Sequence, residues 1–217
     1  MELTTQTPPP IPAIWPDNAS PTVNAESQPE VPCRRKWTRA EYYRLAEQGF
    51  FLQQRAELID GEIINMAAMN GPHRTSIVKA DRKLQRLFAE GFFVTVQCPL
   101  SIGAASDPEP DVAVIAGEVD DFTNTHPTTA VLIIEVAETS LRFDRNHKGS
   151  LYAQAGVPDY WILNLPNRRL EVRRRPVADE NALFGFSYAE LTVYAPDDTV
   201  APLAKPETQI LVSDLLP

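Results

Sequence analysis

Apolar residues recur along the chain with periods that switch between helical and strand-like, and each switch marks an element. After Trp37, the spacing of Thr38 and Glu41 fits a capping box. Hydroxyl and carboxylate there each satisfy a free backbone donor, so a short helix is expected up to about Gly49. Residues 55–66 alternate around Asp60-Gly61, a dipeptide suited to a two-residue hairpin turn that would set Glu57 opposite Ile64. From His73 to Glu90, Ile77, Ala80, Leu84, Leu87 and Phe88 fall on one helical stripe, with Gly91 as the stop. Strands are then expected over 93–102, 111–116 and 130–137. The last is so continuously apolar that it reads as a central strand covered on both faces. A helix over 145–155 ends at Gly156 and Pro158. Strands over 159–164 and 169–174, joined at Pro166-Asn167, lead to a strand over 184–193 and a closing segment over 210–216.

That order predicts an α+β chain, a mixed sheet with helices packed on it. Residues 1–33 are dense in Pro, Ser, Thr and Asn and lack an apolar period. They are expected to be a disordered leader, with the folded domain over 34–217.

Composition changes this picture little: 43% hydrophobic and 23% charged residues are ordinary for a globular chain. The longest strongly apolar stretch, Val131 to Ile134, is far too short to span a bilayer, and no signal peptide is evident. Cys33 and Cys98 form neither a disulfide framework nor a zinc spacing, so a cytoplasmic location is expected. The net charge of −9 argues against a protein that coats nucleic acid by bulk charge, yet basic residues are locally concentrated. Arg82 and Lys83 lie in one basic group and Arg169 and Arg173 in another. Both groups are candidate phosphate contacts, and both also fit a solvated helix face and a charged edge strand.

The chemistry centres on Glu135, a carboxylate inside the most apolar strand. Burying it without a partner would cost several kcal/mol, roughly, so a metal, a cation or a cleft should compensate. A strand end in solvent or a structural salt bridge would also account for it. Asp111 opens the preceding strand. Two carboxylates on neighbouring strands can hold a hard divalent cation through oxygen ligands, although Pro110-Asp111 also fits a simple turn. Lys148 on the following helix, Glu57 in the hairpin and His73 at a helix start each have an ordinary surface explanation as well. No phosphate-binding glycine loop, nucleophile elbow or histidine metal spacing competes.

These residues sit in stretches with a familiar order. Arg55 to Ile63, Pro72-His73, Glu109-Pro110-Asp111-Val112, Ile134-Glu135-Val136, Asp144 to Lys148, Leu151-Tyr152-Ala153 and Gly156 to Trp161 together resemble the Uma-type (Uma-two) restriction-endonuclease family. The likeness runs from about Trp37 to the C-terminus. It implies the PD-(D/E)XK nuclease superfamily and a restriction-endonuclease-like core. It also implies Mg²⁺, with Mn²⁺ as a substitute, DNA as substrate and a homodimer. Asp111 and Glu135 would then be metal-binding carboxylates, Glu57 an additional acid, Lys148 the motif's lysine, and His73 a lining residue. In the simple motif the lysine lies two residues after the acid, where this chain has Ala137, and the resemblance supplies it from the next helix. A catalytically silent nucleic-acid-binding protein and a structural homo-oligomer are the competing readings of the same fold.

Overall fold

A computed structural model describes residues 32–217, so the leader expected over 1–33 lies, save its last two residues, outside the described residues. All the elements belong to the unit Lys36–Pro217. The first helix, α1 (Arg39–Glu47), opens on the reciprocal capping box of Thr38 and Glu41. The hairpin of β1 (Ala56–Ile59) and β2 (Glu62–Asn65) has the expected register, with Glu57 opposite Ile64. Its turn needs glycine: Gly61 has φ 72°, and a Cβ there would stand 2.7 Å from the Lys36 Cβ.

Helix α2 (Gly71–Leu87) starts earlier than its apolar stripe, because Asn70 caps it by accepting from the His73 N–H and Pro72 suits the first turn. It also ends before Gly91, which turns the chain into β3 (Phe92–Thr95) instead of stopping the helix. The strand expected over 93–102 is cut short at Thr95. Gln97 takes a left-handed φ of 52°, which breaks the pleat.

The main sheet has the order β3-β4-β5-β6-β7-β8, with β4 at Val112–Ala116, β5 at Leu132–Ala137, β6 at Asp159–Asn164, β7 at Arg169–Ala178 and β8 at Phe186–Tyr194. Neighbours are antiparallel except β5 and β6, which run parallel. A parallel pair needs a crossover. Here it is one helical run: α3 (Leu141–Phe143), a π-helical turn (Asp144–Lys148) and α4 (Gly149–Gln154). A two-stranded ribbon of β9 (Thr199–Val200) and β10 (Ile210–Leu211) replaces the longer closing segment expected over 210–216.

All six residues of β5 are buried, as its apolar run requires. Alternation divides them between two cores. Leu132, Ile134 and Val136 pack with Ile77, Ala80 and Leu84 of α2. Ile133 and Ala137 pack with Ile59, Leu151 and Tyr152, on the side of the hairpin and the crossover. Glu135 shares the parity of Ile133 and Ala137, so its side chain belongs to the second face.

Candidate active site

In the β4–β5 ladder Val112 pairs with Ile134. One step further along, Asp111 comes opposite Glu135, and two like charges at opposed positions repel. The backbone relieves part of this. Val136 N–H donates to Asp111 Oδ2 at 2.9 Å, and Asp111 N–H reaches Glu135 Oε2 at 3.4 Å. Gln97, on the irregular stretch after β3, donates its amide to Asp111 Oδ1 at 3.2 Å. His73 comes from the first turn of α2, and its Nε2 lies 3.1 Å from Asp111 Oδ2.

The ammonium of Lys148 bridges the remaining acids. Its Nζ donates to Glu135 Oε1 at 2.9 Å and to Glu57 Oε1 at 3.2 Å, with Lys148 only 1% exposed. Tyr152, one turn further along the crossover, donates its hydroxyl to Glu135 Oε1 at 2.7 Å. Asp144, one turn before Lys148, accepts from Ser140 Oγ at 2.5 Å. The second oxygen of Glu57, Oε2, is buried without a hydrogen-bond partner. Glu57, Asp111, Glu135, Asp144, Lys148 and His73 all line one cavity of about 70 Å³. That space suits a small ion with water but not a nucleotide.

Four carboxyl groups around one ammonium cannot all ionise freely, and burial decides which yields. Burial pushes the Glu135 carboxyl up to about 8 against the pull of Lys148, and the neighbouring Asp111, Asp144 and Glu57 add to the rise. Burial also raises Glu57 and Asp144, each partly offset by Lys148. Asp111 moves the other way. Burial would lift it, but the His73 contact, the Lys148 charge and the Val136 N–H together hold it below its usual range. For Lys148, burial would favour the neutral amine, yet Glu135, Glu57, Asp144 and Asp111 outweigh it and raise its pKa. The lysine is therefore an ammonium, unlike the depressed lysine that a general base requires.

All oxygens offered here are hard ligands suited to Mg²⁺ or Mn²⁺. The orphaned Glu57 Oε2 is an acceptor that a cation would satisfy. Among the described residues no three His, Cys, Asp or Glu side chains already stand close enough to form a cation cage. The donor chemistry fits a divalent ion, while the lysine bridge holds Glu57 and Glu135.

The family described as "Uma2: Putative restriction endonuclease" matches residues 39–213, most of the chain. The chain belongs to the Uma2 family. Its fold is also that of a solved structure from Anabaena variabilis described as a "putative nuclease belonging to DUF820". The two are 17% identical, the TM-score is 0.61, and the match covers 82% of this chain and 96% of that one. Curated proteins give no match.

In this Uma2 chain the four residues read from the sequence as the chemical centre, together with His73, reach one cavity from the hairpin, α2, the β4–β5 strand ends and the crossover. The basic residues do not. Arg82 is exposed on α2, Lys83 pairs with Asp214 at 2.8 Å, Arg169 is exposed on β7, and Arg173 lines a different cleft. Sequence reasoning misses Asp144, Tyr152 and Gln97 as neighbours of the site. Asp144, Lys148 and Tyr152 recur every four residues, and that helical spacing is the available signal. No helix among the described residues is long and apolar enough to cross a membrane.

Proposed function

We propose that this chain hydrolyses DNA phosphodiester bonds with a divalent cation, Mg²⁺ or Mn²⁺, at the cavity between the hairpin, the β4–β5 strand ends and the crossover helix. The observation that carries the reading is the convergence on one sheet face of three acids and an ammonium, with a buried carboxylate oxygen left unpaired. Asp111, Glu135 and Glu57 would hold the cation. When bound, it supplies Lewis-acid polarisation of a phosphoryl oxygen and lowers the pKa of water. The Asp111 carboxyl is held ionised by its His73 and Val136 contacts, so it needs no deprotonation to serve as a ligand. Lys148, fixed as an ammonium, places positive charge where negative charge develops on the phosphate, and it can donate a hydrogen bond to the attacking water. Tyr152 fixes the rotamer of Glu135 from behind. Cutting both strands of a duplex with one such cavity per chain calls for two copies, so a homodimer belongs to this reading.

The test is nicking of supercoiled plasmid by the unaltered chain, Glu135→Ala and Lys148→Ala, each with Mg²⁺ and with Mn²⁺. Cleavage by the unaltered chain alone is the expected result. Equal cleavage by all three would assign the activity to another site or a contaminant.

A further inference from the structure

The helical run that carries Asp144 and Lys148 into the cavity has another face. Arg142 is followed three and four residues on by Arg145 and Asn146, and these by Gly149 four and three residues on, so the group lies towards one side, while Ser140, Asp144 and Lys148 share the side that faces the cavity. The first group walls a separate cleft of about 460 Å³, whose other wall is the β7–β8 hairpin with Arg173, Phe186 and Tyr188. In a chain of net charge −9, no Asp or Glu is among the residues lining this cleft. Glu171, behind it, holds Arg145 through two hydrogen bonds of 2.9 and 2.5 Å and lies 3.7 Å from Arg173. One carboxylate against three guanidinium groups leaves the cleft positive. Two of those groups also have donors to spare. Arg142 is exposed with no ion-pair partner among the described residues, and Arg173 lines the cleft with its side chain 19% exposed, although its Nε is buried. Donors without acceptors at a positive concavity call for an acceptor from outside the chain. Phe186 and Leu183 at the rim are 36% and 59% exposed, and an aromatic ring beside guanidinium groups is the pairing that single nucleic-acid strands use.

We infer that this cleft is a phosphate subsite for the nucleic-acid strand, taking a backbone phosphate on Arg142 and Arg173 and a base against Phe186. The inference rests on the phosphodiester-hydrolysis reading of the cavity. It adds that the crossover helix has two functional sides, one for cutting and one for holding the strand.

The test separates the two ideas by measuring binding without cutting. Full-length Glu135→Ala in EDTA is titrated with fluorescent single-stranded and duplex oligonucleotides at several salt concentrations, alone and with Arg142→Glu added. Arg86→Glu, the same charge change on α2 outside the cleft, is the control. Arg142→Glu should weaken binding by about tenfold and reduce the salt slope by about 1, and Arg86→Glu should do neither. Phe186→Ala should weaken single-strand binding alone. Inorganic phosphate should compete with the oligonucleotide only while Arg142 is intact. Equal weakening by Arg142→Glu and Arg86→Glu would reduce the effect to bulk charge and overturn the subsite. Plasmid cleavage by the unaltered chain, with Arg142→Glu binding undiminished, would overturn the subsite and leave the nuclease reading standing. An unaltered chain that neither binds nor cuts would remove both. Arg142-dependent binding of inorganic phosphate or AMP, without oligonucleotide binding, would make this a small-anion site and overturn the strand assignment.

Discussion

Two groups of buried charge lie on opposite faces of the same sheet, and they are built on opposite plans. Around Asp159, at the start of β6, every oxygen is taken. Oδ1 accepts from Trp161 Nε1 at 2.7 Å and Arg174 Nε at 2.8 Å, and Oδ2 accepts from the Leu203 N–H at 2.8 Å and Arg174 Nη2 at 3.3 Å. Arg174 also donates to the Ala201 carbonyl. This is a closed structural knot that ties the β9–β10 region to the sheet. Around Lys148 the charges do not balance: four carboxyl groups face one ammonium, one oxygen has no partner, and three of the acids are driven towards their neutral forms. Burial alone therefore does not distinguish structure from function in this molecule. Under the proposed function the imbalance is what separates the two groups, since a site for a cation keeps acceptor capacity that the Asp159 group has used up.

The sharpest way to break this comparison is to exchange the two roles. Asp159→Ala leaves Arg174 without its carboxylate and should cost about 3 kcal/mol of stability, read by chemical denaturation. Cleavage per folded molecule should be retained, and its selective loss would show that the knot also serves the cavity. Glu135→Gln should do the reverse. Cleavage should fall by about 10²- to 10³-fold, while stability at neutral pH stays within about 1 kcal/mol of the unaltered chain or rises, since the amide replaces an acid that already tends to hold its proton. A large loss of stability there would place Glu135 among the structural charges.

The pH dependence of stability should separate the groups further. The Glu135 carboxyl is raised from an ordinary 4.5 to about 8, so between these values the folded chain holds a proton that the unfolded chain has released. Its contribution is therefore greatest below 4.5 and is lost as pH rises towards about 8. Asp111 is lowered, so its contribution is present above 3.8 and lost on further acidification. Thermal unfolding in EDTA should show stability declining from pH 5 to 8, and Glu135→Gln should flatten that decline. An unchanged slope would assign the proton to another acid. The smallest effect is expected from Tyr152→Phe, which removes one donor to Glu135: about 1 kcal/mol of stability and a modest drop in kcat with KM unchanged.

Much of this was legible in the sequence because it was written in local patterns. The Thr38–Glu41 box, the Asp60-Gly61 turn and the apolar run around Glu135 each fix short-range geometry, and each stands where the pattern puts it. The hairpin register even placed Glu57 correctly against Ile64. What the pattern missed depends on the surroundings. The strand after Gly91 ends at Thr95 because of the backbone at Gln97, a residue that has no intrinsic need for a left-handed φ. Asp144 and Tyr152 carry no chemical signal of their own in the sequence, since only the folded packing makes them neighbours of Glu135. The excess of acid over base at the cavity is a property of five side chains from distant segments, so no window of sequence contains it. The resemblance, not the periodicity, pointed to Lys148.

The π-helical turn between Asp144 and Lys148 has one more consequence, for insertions and deletions. It spaces its residues more loosely than the α-helix on either side, and each residue of an α-helix advances the chain by about 100° around the axis. Removing one of Arg145, Asn146 or His147 would let the crossover relax into an uninterrupted α-helix, locally the more favourable ladder. It would leave Lys148 three residues from Asp144 and seven from Ser140, spacings that keep the three on one face, but it would shift the lysine's backbone relative to β5. A single-codon loss at this point would thus give a better helix with Lys148 still on the cavity side, its bridge to Glu57 and Glu135 remade from a displaced backbone, so the π turn sets the reach of the ammonium and not its direction.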